Sequence, residues 1–386
     1  MSTPNRRVLF AGTWDDGPGY PRTEALARGL ASRGVQVDRI HVPIPVPGGV
    51  KSRFLRSPWL WPAFAMRLWR ARRELVDRVR RAMATTNYEA VFVPYPGHAA
   101  VRWLRPIVDR PIVLDLFLSA HGTVIEDRRL FRHGSIAAWF FEHLDRRACD
   151  VADVVLLDTP QHLDYVCALT GKSPSRFDWV PIGVPESGIA ERAAGAAGRR
   201  LQVLFFGTGV RLHGLDVLCD AVAAADNVHL TLVGGTDGER AHAVQVIPPE
   251  RLELGAPFED ADRIRDRLAA CDLVAGIFGD SQKASMVVPF KLVHALEAGR
   301  PVLTADTPAI RGLLEPGVDC LVCPPHDVTA LAESMRSLGE RHDLLVDVAT
   351  AGRQRFESTF STRAIGDRLA AVLDRLRSSG THEGAR

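Results

Sequence analysis

The sequence lacks long apolar runs and a targeting signal at its start. No apolar segment reaches the roughly 18–20 uninterrupted residues that a membrane-spanning helix needs. The opening MSTPNRRVLFAG enters a strand-like run without a signal-peptide pattern, so we expect a cytoplasmic protein. Hydrophobic content of 46% and charged content of 24% are typical of a soluble globular chain. The net charge of +2 is uninformative, because it combines a local basic cluster with a remainder that is close to neutral.

Cysteines and cofactor signatures are also scarce. The chain has six cysteines, most of them inside predicted helices or strands, as is typical of reduced buried thiols. Cys320 and Cys323 form a C-x-x-C pair without a second half-site for zinc, so we interpret them as small apolar residues of a short strand. Gly12, Gly17 and Gly19 do not have the G-x-G-x-x-G spacing of a dinucleotide site. We therefore expect no bound cofactor and no metal.

Alternating apolar and amphipathic segments predict βα repeats with parallel sheets. A chain of 386 residues fits two domains. The predicted strands are 8–11, 35–42, 90–93, 112–117, 154–158 and 179–182, then 203–206, 229–233, 252–254, 273–278, 302–304 and 320–322. Predicted helices include 21–33, 63–84, 135–149, 160–170 and one near 362–376. We predict domains at 1–184 and 201–360, a linker at 185–200, and a terminal helix with a polar tail at 361–386.

The most informative stretch is 271–314. An apolar run ends at Gly279-Asp280, a loop carries Lys283, and a helix opened by Pro289 carries Lys291 and His294. A strand, a polar loop and a helix in this order place the loop at the carboxyl edge of a parallel sheet, where open α/β sheets bind ligands. A lysine beside a helix N-terminus suits a phosphate group.

A second loop, VLFFGTGVRLHGLD at 203–216, has the same strand–turn–helix order. Gly207 and Gly209 let the backbone approach a ligand, and Arg211 and His213 precede a helix that starts near Gly214. By itself this pattern equally fits a tight βα turn. Together with the first loop, it favours a site for the diphosphate of a nucleotide-sugar.

These residues resemble the nucleotide-sugar half of GT-B glycosyltransferases of the retaining family 4 type. The resembling branch reads roughly GIFG–K–IPxK–ALxxxxPV and GTxxxLHG. The resemblance implies a GT-B fold with two doubly wound Rossmann-like domains facing a central cleft, and a terminal helix in 361–386 that packs back on the first domain. It also implies transfer of a sugar from a UDP-, GDP- or dTDP-sugar to an acceptor hydroxyl, with retention of configuration and no metal.

The resemblance implies a set of donor-binding positions. Lys291 is the favoured cation for the leaving diphosphate, with Arg211 and Lys283 as alternatives. The two glutamates that such enzymes carry for ribose and sugar are replaced here by His294 and Met286, and His294 can still bond a ribose hydroxyl. Glu315 is either a carboxylate near the base or ribose, or a surface residue. The complete predicted donor set is Gly207, Thr208, His213, Gly214, Asp280, Lys283, His294 and Glu315, with Lys291 and Arg211 as catalytic residues.

The first domain offers candidates for the acceptor side. The segment 115–129, DLFLSAHGTVIEDRR, leaves a strand for a polar loop at the cleft edge and resembles the same branch. His121 is the predicted catalytic residue of this loop. The alternative for Asp127 and Arg128 is an ordinary loop salt bridge, and the alternative for Arg22 is a structural role at a helix start. The predicted acceptor-side residues are Gly17, Gly19, Arg22, Ser119, Asp127 and Arg128.

The segment 51–81 is basic and aromatic. It carries ten lysines and arginines against Glu74 and Asp77, with Phe54, Trp59 and Trp69 among its aromatic residues. This composition suits the surface of an anionic membrane, which would make the protein peripheral on the inner face of the cell membrane. The alternative is a domain helix with a solvated basic face. No nucleic-acid-binding module accompanies the patch.

The sequence therefore predicts a nucleotide-sugar-dependent hexosyltransferase in surface-glycan, glycolipid or secondary-metabolite biosynthesis. Its acceptor would be a saccharide, a lipid-linked sugar or a small molecule. Two alternatives stay open. The missing glutamates suit a catalytically weak GT-B scaffold protein, and the fold also suits a nucleotide-sugar epimerase.

Overall fold

A computed structural model describes residues 6–14, 21–44, 61–184, 186, 188 and 199–383 of the chain. Within these residues two six-stranded sheets form, and all the paired strands are parallel. Parallel neighbours need crossover connections, and helices supply them here. The expectation of two doubly wound α/β domains is confirmed. Most of the predicted linker at 185–200 lies outside the described residues.

The first sheet has the order β2-β1-β3-β4-β5-β6. The four central strands read as nearly continuous apolar runs because helices cover both faces of the sheet, whereas the edge strand β2 is polar and partly exposed. The strands are β1 Arg7–Gly12, β2 Gln36–His41, β3 Ala90–Val93, β4 Ile112–Asp115, β5 Val154–Leu157 and β6 Phe177–Trp179. The helices are α1 Arg22–Ser32, α2 Trp61–Thr85, α3 His98–Leu104, α4 Ile136–Val151 and α5 Pro160–Thr170, with a π-helical turn at Gly122–Asp127.

The second sheet has the order β12-β11-β10-β7-β8-β9. The chain runs outward from β7 through β8 to β9, then returns to the other side of β7. The strands are β7 Leu201–Gly207, β8 Val228–Gly234, β9 Leu252–Leu254, β10 Leu273–Ala275, β11 Val302–Ala305 and β12 Leu321–Cys323. The helices are α6 Leu215–Ala224, α7 Asp237–Val246, α8 Ala261–Ala270, α9 Gln282–Met286, α10 Phe290–Glu297, α11 Pro308–Leu313, α12 Val328–Leu338, α13 His342–Arg355 and α14 Thr362–Glu383.

Two predicted strands end three residues earlier in the structure. The strand predicted at 179–182 lies at Phe177–Trp179, because the apolar residues that follow it, including Ile182, pack between the two domains instead of in the sheet. The strand predicted at 273–278 ends at Ala275. Beyond it, the backbone N–H of Phe278 donates to the loop after β7 rather than to a strand. Helix α3 of the first domain was not predicted from the sequence.

The terminal helix α14 packs on α1 of the first domain. Gly29 and Gly366 face each other at this crossing, and Ile365, Leu369 and Val372 complete the core on that face of the first sheet. A Cβ built on Gly366 would lie against the carbonyl oxygen of Gly29, closer than atoms approach in folded proteins. The second half of the chain therefore closes the core of the first.

We predict that Gly366→Ala separates α14 from α1 and lowers the free energy of unfolding by about 1–3 kcal/mol, because backbone must move to admit one methyl group. Gly238→Ala is the matched control, since a Cβ at that α7 position meets nothing within 4 Å. The control should be neutral or slightly stabilising. Thermal unfolding followed by circular dichroism measures both; equal melting temperatures would contradict the proposed packing constraint.

Candidate functional site

The two loops identified in the sequence meet at one edge of the second sheet. β7 and β10 are neighbours although they are distant in sequence, so the strand order reverses between them. Open α/β sheets bind ligands in the crevice at such a point, outside the carboxyl ends of the strands. The Phe278 N–H donates to the carbonyl of His213 at 2.9 Å, and the Gly279 N–H donates to that of Leu212 at 3.2 Å. Gly214 has φ 58°, and a Cβ there would lie 2.6 Å from the Gly279 nitrogen. The two loops therefore form a single surface.

Lys291 is the central charged residue of this surface. Its side chain leaves the first turn of α10 and is buried, with Nζ 3.6 Å from the centroid of the Phe205 ring. Among the described residues its Nζ has no hydrogen-bond partner. Burial lowers the pKa of Lys291 well below its usual value, and Glu239 opposes this only weakly. The arrangement is an amine held in an apolar and aromatic setting without an anion.

His213 and Gly207 lie against this amine. A Cβ built on Gly207 would lie 2.9 Å from Cε1 of His213 and 3.2 Å from Nζ of Lys291, so only glycine fits there. Burial, together with the charge of Lys291, lowers the pKa of His213 to about 2, although a backbone contact with Thr208 opposes the shift. The imidazole is therefore neutral at physiological pH.

The end of β8 completes the surface, and the sequence analysis did not include it. Gly234 and Gly235 both have positive φ, and the Gly235 N–H donates to the carbonyl of Gly207 at 2.9 Å. A Cβ on Gly209 would collide with Thr236 and Glu239. Thr236 and Glu239 form a capping box at the start of α7. The dipeptide Gly-Gly after an apolar strand was the available sequence signal.

Helix starts around the crevice differ in how they are capped. In the described part of the second domain, α7, α8, α9, α11 and α12 each have a side chain that accepts from the first turn. The helices α6 and α10, which begin beside Lys291, have Gly214 and Pro289 as N-caps and no such bond. Their first amides are thus left for another acceptor, and anions are favoured at such helix ends.

The remaining predicted donor residues occupy different positions. His294 lies one turn after Lys291 on α10, with its ring 6.3 Å from that of Phe206, and burial lowers its pKa to about 4. Thr208 and Arg211 are exposed on the loop after β7, and Asp280 is exposed after β10. Glu315 is exposed beyond α11.

Met286, which stands at one missing glutamate, and the nearby carboxylate Glu297 make other contacts in the structure. Met286 is buried, and its carbonyl accepts a hydrogen bond from the hydroxyl of Thr159 in the first domain. Glu297 is buried on α10 and forms an ion pair with Arg353 at 3.5 Å. Glu297 therefore does not replace a missing carboxylate at the crevice.

Lys283 contacts the first domain. Its Nζ lies 3.3 Å from the hydroxyl of Thr123 and 3.5 Å from the carboxylate of Asp127, both on the π-helical turn. Burial lowers the pKa of Lys283, while Asp127 and Asp158 oppose the shift. Asp127 thus pairs with Lys283 across the domains, and the alternative of an ordinary loop pair with the exposed Arg128 is wrong.

The loop that carries Ser119 and His121 is fixed by a buried carboxylate that the sequence analysis did not identify. Asp145 on α4 accepts bonds of 2.8–2.9 Å from Ser119 Oγ, from the N–H groups of Ala120 and His121, and from His98 Nε2. Burial raises the pKa of Asp145, but these bonds outweigh it and leave the pKa below its usual value. The ring of His121 bonds the Tyr165 hydroxyl at 3.0 Å.

Arg22 makes its contacts within the first domain. Its guanidinium is buried and forms a bidentate ion pair with Asp115 at 2.8–2.9 Å, while also donating to the carbonyl of Val180. These contacts favour the alternative for Arg22, a structural role at the start of α1, because the guanidinium links Asp115 of β4 to the backbone after β6. Gly17 and Gly19 lie outside the described residues.

No group of three or more His, Cys, Asp or Glu side chains in the described ranges is arranged to hold a metal ion. Cys320 and Cys323 are buried free thiols, and burial raises the pKa of each to about 12. No helix in the same ranges has the length and apolarity to cross a bilayer.

We predict that His213 makes the fold acid-sensitive. Its pKa is about 2 in the folded state and about 6.5 when unfolded, so between these values the unfolded chain binds a proton that the folded chain does not. The free energy of unfolding therefore falls as pH falls below about 6.5. Between pH 7 and pH 5, the free energy of unfolding of His213→Gln should fall by about 2 kcal/mol less than that of wild type. Urea unfolding at the two pH values measures this difference. His133→Gln, which removes an exposed ring, is the control; parallel losses in all three proteins would contradict the assignment.

Comparisons with known proteins find similar sequences and similar folds. Residues 200–341 match the family described as Glycosyl transferases group 1. The D-inositol 3-phosphate glycosyltransferase 1 of Catenulispora acidiphila is 26% identical over an alignment of 247 residues. The match covers 57% of this chain and 57% of that protein. The chain thus spans less than two thirds of the curated relatives that it matches.

Two solved structures share the whole architecture. Sucrose-phosphate synthase of Thermosynechococcus elongatus superposes with a TM-score of 0.70 and 16% identity over 97% of this chain and 100% of that one. HepE of Anabaena, solved with UDP-glucose, superposes with a TM-score of 0.65 and 16% identity over 96% of this chain and 99% of that one. At such identities the likeness shows the fold. Residues 200–341 thus match the group 1 glycosyl transferase model, and the whole chain has a two-domain α/β fold of the GT-B type.

Proposed function

We propose that this protein transfers a hexosyl group from a nucleotide-sugar to an acceptor hydroxyl, with retention of configuration and without a metal. The observation that carries the proposal is the buried, unpaired amine of Lys291 at the crevice between β7 and β10. An anion beside Nζ would satisfy it, and a diphosphate suits the surrounding glycines and uncapped helix starts. The match of this domain to group 1 glycosyl transferases supports the same conclusion.

In this proposal the second domain stabilises the leaving nucleoside diphosphate. Charge develops on that group as the bond to the sugar breaks, and fixed cations and amide dipoles stabilise it most where water is excluded. Lys291 supplies the buried cation, and the exposed Arg211 supplies a second charge at the mouth of the loop. Gly207, Thr208 and Gly214 let the backbone follow the phosphates.

The same proposal gives the other predicted residues their positions around the donor. His294, one turn from Lys291 and neutral, would bond a ribose hydroxyl, with Asp280 beside the loop. His121, oriented by Tyr165 and by the loop bonds to Asp145, would face the sugar from the first domain. Glu315, exposed beyond α11, is proposed near the base or ribose. UDP is the first nucleotide to examine, because HepE was solved with UDP-glucose. GDP- and dTDP-sugars are the other donors to examine.

The acceptor side belongs to the first domain. Ser119 and Asp127 hold the loop that would border the acceptor, and Arg128 is exposed next to them. We propose a saccharide, lipid-linked or small-molecule acceptor in surface-glycan, glycolipid or secondary-metabolite biosynthesis. Contact of the 51–81 segment with an anionic membrane on the cytoplasmic side belongs to the same proposal. Residues 51–60 lie outside the described residues, while Met66 and Trp69 on α2 are exposed.

The alternatives of a scaffold protein and an epimerase are not favoured by the comparisons. The scaffold alternative rests on Met286 and His294 standing where glutamates are expected. A scaffold would bind no nucleotide-sugar, and an epimerase would convert the donor with no acceptor present. Incubation of the donor alone, followed by chromatography of the sugar, distinguishes the epimerase from a transferase.

We predict that Lys291→Met removes donor binding without harming the fold. Methionine keeps most of the volume and removes an amine that is costly to bury, so the melting temperature without ligand should be unchanged or higher. The stabilisation by a saturating nucleotide-sugar, roughly 2.7 kcal/mol at about 100 times the dissociation constant, should disappear. Transfer should fall by about 10²–10³-fold. Lys172→Met, on the far side of the first domain, is the matched control; a retained donor shift in Lys291→Met would refute the assignment.

We also predict that donor binding takes up a proton. Burial lowers the pKa of Lys291 in the free protein, and a bound diphosphate would raise it again, so affinity should fall as pH rises between the two values. Titration calorimetry in buffers of different ionisation enthalpy measures the uptake directly. A binding enthalpy independent of buffer in the wild-type protein would contradict the prediction.

A further inference from the structure

The start of α4 carries an apolar ridge that the fold does not cover. Ile136, Trp139 and Phe140 are 86%, 62% and 53% exposed, respectively. The ring of Phe140 makes an edge contact with Phe141 at 5.4 Å, so the aromatic side chains support one another. Large apolar residues grouped in this way on a surface mark an interaction site more often than isolated ones do. We call residues 128–140 the α4 ridge.

The charges of the α4 ridge have one sign. Arg128, Arg129 and Arg132 are exposed, and no carboxylate in the described part of the chain forms an ion pair with any of them. The sequence between Asp127 and Glu142 contains no acidic residue. Cations next to exposed aromatic and aliphatic side chains suit a surface that is anionic at its boundary and apolar beneath it.

The α4 ridge shares its side of the molecule with the exposed part of α2. Helices α2, α3 and α4 cover the same face of the first sheet and follow one another across it. Both α2 and α4 follow parallel strands and so begin at the carboxyl edge of that sheet. Near the start of α2, the side chains of Met66 and Trp69 are about half exposed, and Ala71 is the first buried residue among the described side chains of this helix. The two exposed helix starts can therefore meet one flat partner.

We propose that the α4 ridge is a docking surface for an anionic lipid bilayer. The unpaired arginines would lie among lipid phosphates, and Ile136, Trp139 and Phe140 would enter the interfacial layer. A second copy of this chain is a poorer partner, because a two-fold contact would bring two patches of the same positive charge together. Charge complementarity therefore favours a lipid surface.

The position of the α4 ridge links the bilayer to the cleft. It directly follows the π-helical turn at Gly122–Asp127, which contacts Lys283 of the second domain. A bilayer on the α4 ridge would thus lie beside the acceptor side of the first domain. On the proposed transferase function, this selects a lipid-linked acceptor from the three acceptor classes. The docking itself does not depend on that function.

The experiment is co-sedimentation of the full chain, without donor, with vesicles of phosphatidylglycerol mixed with phosphatidylcholine and with vesicles of phosphatidylcholine alone. Trp139→Ser/Phe140→Ser should lower the partition onto anionic vesicles by about tenfold. Arg129→Gln/Arg132→Gln should do the same and weaken the dependence on salt. Matched controls elsewhere on the surface are Phe258→Ser, which is 65% exposed, and Arg263→Gln/Arg363→Gln. These controls should bind vesicles as wild type does.

Two outcomes would overturn the docking proposal. The first is unchanged vesicle binding in both α4 ridge variants. The second is equal binding of wild type to anionic and neutral vesicles, or binding to neither. If sedimentation velocity instead shows a dimer that Trp139→Ser/Phe140→Ser dissociates, the partner is a second copy and the proposal is wrong. Donor stabilisation is measured separately on the same variants, so loss of vesicle binding with a normal donor shift leaves the transferase proposal intact.

Discussion

The unpaired amine of Lys291 is the constraint around which the second domain is organised. Removing an ionised group from water costs several kcal/mol unless a partner compensates it. Here the Phe205 ring contributes only a cation–π contact, and burial moves the pKa of Lys291 down. A protein that keeps such a group gives up stability in its free state, and binding of an anion recovers it. Selection for binding at this site explains the cost more simply than selection for folding does.

Several neighbouring features keep that amine from finding a partner in the part of the chain that the structure describes. The charge of Glu239 acts on Lys291, but the Glu239 carboxylate is held by the N–H and hydroxyl of Thr236 at 2.7 Å each. The capping box therefore both starts α7 and holds the carboxylate away. His213, kept neutral by burial, adds no competing charge. Gly207 leaves the approach to Nζ free of side-chain atoms.

The sequence predicted the architecture well because hydrophobic periodicity and strand–loop–helix order are local signals. The regions 203–216 and 271–314 were placed together correctly, since strand ends of one parallel sheet share an edge. What could not be predicted depends on long-range contacts. Arg22 resembled an exposed cation at a helix start, and only the folded chain brings Asp115 to it. Asp145 gave no signal because its partners lie 24–47 residues away. The roles of the placed residues stay predictions.

Lys283 and Lys291 show how two similar lysines on neighbouring helices acquire different tasks. Lys283 reaches the first domain, where Thr123 and Asp127 bind it, although burial still keeps its pKa below the usual value. Lys291 points toward Gly207, within its own domain, and its Nζ has no hydrogen-bond partner among the described residues. On the proposed function, an incoming diphosphate would therefore be stabilised mainly by Lys291, while Lys283 bridges the two domains beside it. In that proposal, the contact of Lys283 with the first domain would help to exclude water from the site at which Lys291 acts.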